Sequence, residues 1–429
     1  MKPAGPDSLR RNRDFQILCV GQGLSMLGSA ASALALPLLV LNSTGSPLRA
    51  GLVEAVWAGS LALASLPGGT IADRFDRRSV LLVCELGRVA ASLVLAVAVQ
   101  SGNTALPLLL GVGAVLGFLT APSVAAGLAA LTRIVPESQL GTALTVNRVR
   151  GQAAYLLGPV LGGWLFTLSP GYPFWLDAAS FAVAAASVYA VRTPLSAATA
   201  SERESGWVER TGAGLRFVWR DSVLRRVSLI AAGQNFVLDG TYLTVVVVSS
   251  RQGSAGLSMG AIAAASAMGA LAGILLMPRV GEVLRPTHVL FVSGAVCAGL
   301  VAAMALGSSA ALLAVLMGGC SMAISLSSSL TTVTRMLRTP DHLQGRVHSA
   351  VGLLLMAAPP LGSTLTGLFL EHLPAPAVFV TLGILLVPLA LITPRLDAPA
   401  PRAAPDPPAP DPAVPRPPTP RSPDGPCPR

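Results

Sequence analysis

Twelve long apolar runs fill most of this chain, and nothing else in it limits the fold so sharply. They fall at about 15–41, 49–71, 79–99, 105–131, 141–167, 174–191, 227–248, 258–278, 287–306, 310–333, 346–370 and 376–393. Each is about 18 to 27 residues long, and a helix rising ~1.5 Å per residue crosses the roughly 30 Å of bilayer hydrocarbon in that length. Only 12% of the 429 residues are charged and 52% are hydrophobic, whereas a soluble globule carries about 25% charge. The expected fold class is an all-α membrane protein with twelve transmembrane helices in two pseudo-symmetric six-helix bundles.

The net charge of +10 does not form the single basic patch that nucleic acid would need. Arginines alternate from loop to loop. Arg10, Arg11 and Arg13 precede helix 1, Arg74, Arg77 and Arg78 follow helix 2, and Arg133 follows helix 4. Six more, from Arg203 to Arg226, fill the loop after helix 6, and Arg279, Arg285, Arg335 and Arg338 follow helices 8 and 10. The opposite loops offer Arg49 and Arg251. By the positive-inside rule both termini are expected in the cytoplasm of a cell-membrane protein. The first run is too long for a signal-peptide core and has no small-residue cleavage site, so it is read as helix 1. Lys2 is the only lysine, which excludes a Walker-type phosphate loop. Cys19, Cys84, Cys297, Cys320 and Cys427 show no metal-ligand spacing and are expected as free thiols. No cofactor or metal is expected.

The chain repeats itself at a separation of about two hundred residues. Arg13, Gly21, Gln22 and Gly28 match Arg225, Gly233, Gln234 and Gly240 at one constant offset, and Pro136 and Gly141 pair with Pro340 and Gly345. The expected organisation is a cytoplasmic segment 1–14, a first bundle 15–191, a linker 192–226, a second bundle 227–393 and a Pro-rich, disordered tail 394–429. Within the linker, Trp207, Leu215, Phe217, Val218 and Trp219 lie among arginines. That pattern suits either an amphipathic helix at the lipid headgroups or one packed on the bundle ends.

The turn between helices 2 and 3 reads Gly69-Thr70-Ile71-Ala72-Asp73-Arg74-Phe75-Asp76-Arg77-Arg78. It fits the G-x-x-x-D-R-x-x-R-R signature and resembles the major facilitator superfamily of secondary transporters. Small Gly68 and Gly69 permit close helix approach, and Asp73 can pair with Arg74 or Arg77. Further segments resemble the drug-efflux branch that holds macrolide-efflux and enterobactin-export proteins. They are Asn12-Arg13-Asp14-Phe15, Leu36-Pro37-Leu38-Leu39, Leu176 to Phe181, Pro340-Asp341 with Gly345-Arg346-Val347, and the G-P-x-x-G-G element Gly158-Pro159-Val160-Leu161-Gly162-Gly163. The resemblance implies the major facilitator fold, alternating access, and a turn at Gly69, Asp73, Arg74, Arg77 and Arg78 that latches the cytoplasmic gate. It also implies that Gly158, Pro159, Gly162 and Gly163 form a flexible helix 5 kink; small-residue helix packing is the plain alternative. Helix 4 lacks the arginine that proton-coupled exporters often carry, since Gly117 to Ala130 holds no charge.

A charged side chain at the centre of a membrane helix costs at least ~2.5 kcal/mol, so each one calls for an explanation. Asp239 is the sharpest candidate for binding a proton or a cationic substrate. A helix starting near Val227 would place it near the bilayer midplane, where carriers bind their substrates. Gln22 and Gln234, at equivalent places on helices 1 and 7, are expected to offer amides to a central cavity or to bond between helices. Asn235, about 100° away from Gln234, ranks lower. Glu54 either attracts cations and protons or pairs with Arg49. Glu85 and Arg88 are expected as a neutralising pair that supports a gate near the cytoplasmic end of helix 3. Arg148 and Arg150 snorkel inward or meet Asp73, and Asp177 is structural.

The function these readings favour is export of amphipathic small molecules in exchange for protons by a monomeric carrier. A proton-coupled uptake permease is the nearest alternative, and a non-transporting membrane receptor or scaffold is an alternative from another class. An enzyme is not expected: H-E-x-x-H and G-x-S-x-G motifs are missing, and His288, His342, His348 and His372 lie in or beside loops.

Overall fold

In lipid a backbone must satisfy its own hydrogen bonds, and the chain meets that demand with helices. The computed structural model describes residues 8–195, 207–251, 255–340 and 343–392. Among them twelve long helices follow in order: α1 (Arg13–Thr44), α2 (Pro47–Arg74), α3 (Arg77–Gln100), α4 (Leu106–Ile134), α5 (Glu137–Leu168), α6 (Tyr172–Ala190), α7 (Ser222–Ser250), α8 (Ala255–Val283), α9 (Pro286–Ala303), α10 (Ala310–Arg338), α11 (Gln344–His372) and α12 (Ala375–Leu391). A linker helix, Trp207–Arg220, precedes α7. Residues 196–206 of the expected linker and the expected tail 394–429 lie outside the described residues.

Side-chain oxygens set several helix starts. Asn12, Ser46, Asp76, Asp221 and Ser309 accept from the first backbone N–H groups of α1, α2, α3, α7 and α10. Seven described helices are long and apolar enough to cross a membrane on composition alone. In α7 and α5 the apolar average is lowered by Gln234, Asn235 and Asp239 and by the Gly-Pro run from Gly158 to Gly163.

The packing is two-fold. In the first half α1 packs on α5 and α6, α2 on α4, and α3 on α4 and α6. In the second, α7 packs on α11 and α12, α8 on α10, and α9 on α10 and α12. Adding six to each number converts one set into the other. Between halves the main crossings are α2 with α11 and α5 with α8, which the same exchange interconverts.

Those crossings come together at one end of the molecule. A Cβ at Gly163 of α5 would collide with the Gly256 carbonyl of α8, and one at Gly260 would lie 3.2 Å from the Pro159 carbonyl. Across the other crossing, a Cβ at Gly367 of α11 would stand 2.8 Å from the Pro47 carbonyl and one at Gly51 2.5 Å from the Ser363 carbonyl. The Ser46 hydroxyl also donates to the Glu371 carboxylate, a bond between the halves. This is the far end. At the opposite, arginine-rich end, Leu144, Val146 and Val149 of α5 and Leu275 and Val283 of α8 are exposed, and open space surrounds Gly141 and Gly352.

The linker helix belongs to the second half. Gly214 brings it against the Arg346 carbonyl of α11, and Val218 is buried with Leu224, Val347 and Val351. Leu215 and Trp219 remain exposed on its other side.

Because bare backbone closes the α5–α8 crossing, Gly163→Leu is expected to disfavour far-end closure by about 1–3 kcal/mol, the usual cost of overpacking. Cysteines placed at Ser46 and Glu371 should crosslink readily in the parent protein and much less in the Gly163→Leu background. Equal crosslinking would show that the glycine contact does not set the closure.

Candidate functional site

Directly beneath the closed far end, α2 and α7 each contribute a carboxyl group. Gly51 rests against Ser363 and Leu243, which brings Glu54, one turn further along α2, close enough to Asp239 for their charges to interact. The Ser363 hydroxyl of α11 is within hydrogen-bonding reach of Asp239. Tyr242, three residues after Asp239, lies on the same face of α7. Oδ2 of Asp239 is buried with no hydrogen-bond partner, although Asp239 and Glu54 are each only half-buried as whole residues. Glu54 forms no ion pair with Arg49 among the described residues. An acid from each half therefore meets at the boundary, beside a phenol and a hydroxyl. This arrangement can take up a proton or accept a cation.

The start of α7 differs from the sequence expectation. Asp221 caps the helix, which begins at Ser222 rather than near Val227, so Asp239 lies 17 residues in (239 − 222) within a helix of 29.

Of the two roles open to the glutamines, Gln22 takes the bond between helices. Gln234 is 3% exposed inside the second half. Gln22 donates through Nε2 to Glu85 Oε1 at 3.3 Å, within the first half. Asn235, which the sequence ranked lower, is half-buried and stands four residues before Asp239, so it shares that face of α7.

Glu85 and Arg88 do pair, with N–O 3.7 Å, but in the middle of α3 and inside the first bundle rather than at a gate. Glu85 Oε1 also accepts from Ser123 at 2.9 Å, and Arg88 donates to Ser25 at 2.9 Å while its guanidinium lies 3.9 Å from the Phe181 ring centroid. Asp177, 3% exposed, accepts from Ser29 and Ser92, both at 3.3 Å. One buried polar network thus ties α1, α3, α4 and α6 together. Sequence reasoning missed its hydroxyl partners. Their signal was present, since Gln22, Ser25, Ser29 and Ser32 follow at intervals of three and four and mark one face of an otherwise apolar helix.

At the arginine-rich end the motif turn bonds within its own half. Arg78 donates to the Val191 carbonyl at the end of α6, and Asp76 accepts from the Ser79 N–H and hydroxyl, each at 3.0 Å. Arg74 is exposed and Arg77 is buried. The side chains of Gly69 and Asp73 lie outside the described ones. Arg150 donates to the Cys19 carbonyl of α1 at 2.8 Å and to Asn147 on its own helix, and Arg148 is exposed. The family-like opening also has local work here. Asn12 Nδ2 donates to the Ile134 carbonyl at 2.9 Å, and Asp14 Oδ2 accepts from the Thr193 N–H at 2.8 Å and from its hydroxyl.

The helix 5 element serves two contacts. Gly158 and Gly162 lie against α1 at Ala30 and Ala31, whereas Gly163 faces α8 and the other half.

Two matched bundles of membrane helices, meeting over acidic groups drawn from both, define a multi-pass membrane carrier and not an enzyme. The chain belongs to the Major Facilitator Superfamily, whose family model matches residues 18–358. It is 28% identical over 395 residues to the Multidrug efflux pump Tap of Mycobacterium tuberculosis, covering 87% of this chain and 91% of that one. It is 24% identical over 371 residues to the Enterobactin exporter EntS of Salmonella typhi, covering 84% and 86%. In fold it resembles a crystal structure of a mutant of the nucleoside transporter NupG, with a TM-score of 0.77 at 12% identity over 90% of this chain and 100% of that one.

Removing one partner of a buried ion pair strands the other, at a cost of about 3–5 kcal/mol. Glu85→Ala is therefore expected to lower the melting temperature of the purified protein strongly, and the double change Glu85→Leu with Arg88→Met to lower it less. Melting of the alanine variant at the parent temperature would show that the network contributes little.

Proposed function

We propose that this carrier exports amphipathic small molecules in exchange for protons, with the arginine-rich end in the cytoplasm. The observation that carries the reading is the Glu54–Asp239 pair, one acid from each half, held under the closed far end. Two ionised carboxylates facing each other across a joint repel, so the joined far end is favoured when one of them is neutral. A proton taken up from the far side then closes that side and leaves the arginine-rich side open. Loss of the proton there lets the far joint part and carries bound substrate outward. Binding energy differing between two states is all that such coupling requires.

Three further points support the reading. The efflux pump and the exporter among the relatives share most of the chain with this protein. Arginines concentrate at one end, as a cytoplasmic face requires. In the motif turn Arg78 and Asp76 bond inside their own half here, which suits a latch that engages the other half only when the arginine-rich end closes.

In sealed proteoliposomes with an imposed pH gradient, the parent protein is expected to move the lipophilic cation ethidium away from the arginine-rich side. Asp239→Asn should reduce gradient-driven movement at least tenfold while leaving membrane insertion unchanged, and Glu54→Gln should do the same. Undiminished gradient-driven transport by Asp239→Asn would remove that residue from coupling. Net flux in the opposite direction would favour an uptake permease.

A further inference from the structure

The second half carries an amphipathic groove on its outer flank, away from the joint between halves. Its apolar part is a cavity of about 360 Å³ between α9 and α12, lined by Phe291, Gly299 and Ala302 on one side and Val380, Ile384 and Leu391 on the other. Phe291 and Ala302 are 11 residues apart on α9 (302 − 291), as are Val380 and Leu391 on α12 (391 − 380). That makes the groove about 16 Å long. One leaflet of hydrocarbon is about 15 Å deep, half of the bilayer core.

Leu391 also lines a second cavity of about 470 Å³ at the arginine-rich end, together with Arg225, Arg226, Leu229, Pro388 and Ile392. The two cavities meet at this residue. Ile384 and Leu391 are 61% and 63% exposed, so the groove opens outward. At the head, Arg225 donates through Nη1 to the Trp219 carbonyl at 2.8 Å, which fixes its position and leaves most of its five N–H donors for other acceptors. The nearby acid, Asp221, accepts from the Val223 and Leu224 N–H groups as the cap of α7.

From two guanidinium groups above an apolar slot one leaflet deep, we infer that this flank binds an anionic phospholipid. Its phosphate contacts Arg225 and Arg226, and one acyl chain lies along the α9–α12 groove. Charge complementarity selects the headgroup, because a zwitterionic lipid brings its own cation to the arginines. The groove sets the depth of the chain. Since Arg225 is tied to Trp219 of the linker helix, the bound lipid would also hold that helix to the membrane surface.

Native mass spectrometry of the full purified chain, with phosphatidylglycerol or phosphatidylcholine of equal chain length, tests the assignment. The parent is expected to retain phosphatidylglycerol about tenfold or more in preference. Arg225→Ala with Arg226→Ala should abolish the preference, whereas Arg225→Lys with Arg226→Lys should keep most of it. Open space surrounds Gly299, so Gly299→Leu fills the groove without striking its neighbours and should weaken retention at least fivefold. Melting in phosphatidylcholine checks the folding of each variant; if the alanine pair does not fold, Gly299→Leu decides alone. Equal retention of both lipids by the parent, or undiminished phosphatidylglycerol retention by folded Gly299→Leu, would overturn the site.

Discussion

Where α5 and α8 cross, Gly163 and Gly256 let backbone approach backbone across the joint between the halves. In water such a joint would be reinforced by expelling solvent from apolar surface, but lipid tails are as apolar as the helices themselves. Association then rests on dispersion and close approach, which are lost as soon as the surfaces part. A joint of this kind is both specific and reversible. The Ser46–Glu371 bond adds a polar clasp at its rim, and the carboxyls of Glu54 and Asp239 lie beneath it. The bundles themselves are far harder to separate, since each crossing inside a half belongs to a continuous set of packed helices.

The halves share a packing plan but not a chemistry. The first is laced by Glu85, Arg88 and Asp177 with serine hydroxyls from α1, α3 and α4. In the second, the helix equivalent to α3 is α9, whose buried residues include Leu290, Cys297 and Val301. Oriented hydrogen bonds resist rotation of one helix against another more than apolar contacts do. The network therefore fixes α1, α3, α4 and α6 against one another within the first half.

Much of the fold was legible because a membrane span announces itself by length, and because matched offsets reveal two copies of one bundle. Helix starts were less legible: α7 begins at Ser222, ahead of its apolar run, because Asp221 can cap it there. The glutamine pair left two roles open for another reason. Gln22 and Gln234 correspond by offset, but descent fixes position along a helix and not the neighbour that later fills the space beside it. Asp239 and Glu54 could each be singled out as costly charges in lipid, yet their meeting depended on the α2–α11 and α2–α7 contacts, which a single sequence does not encode locally. The serine face of α1 was readable from its spacing and passed unnoticed because small hydroxyls blend into an apolar helix.

The seating of the linker helix on α11 has a kinematic consequence. Gly214 and Val218 attach it to the second body, so any turn of that body carries the helix, with its exposed Leu215 and Trp219, along as cargo.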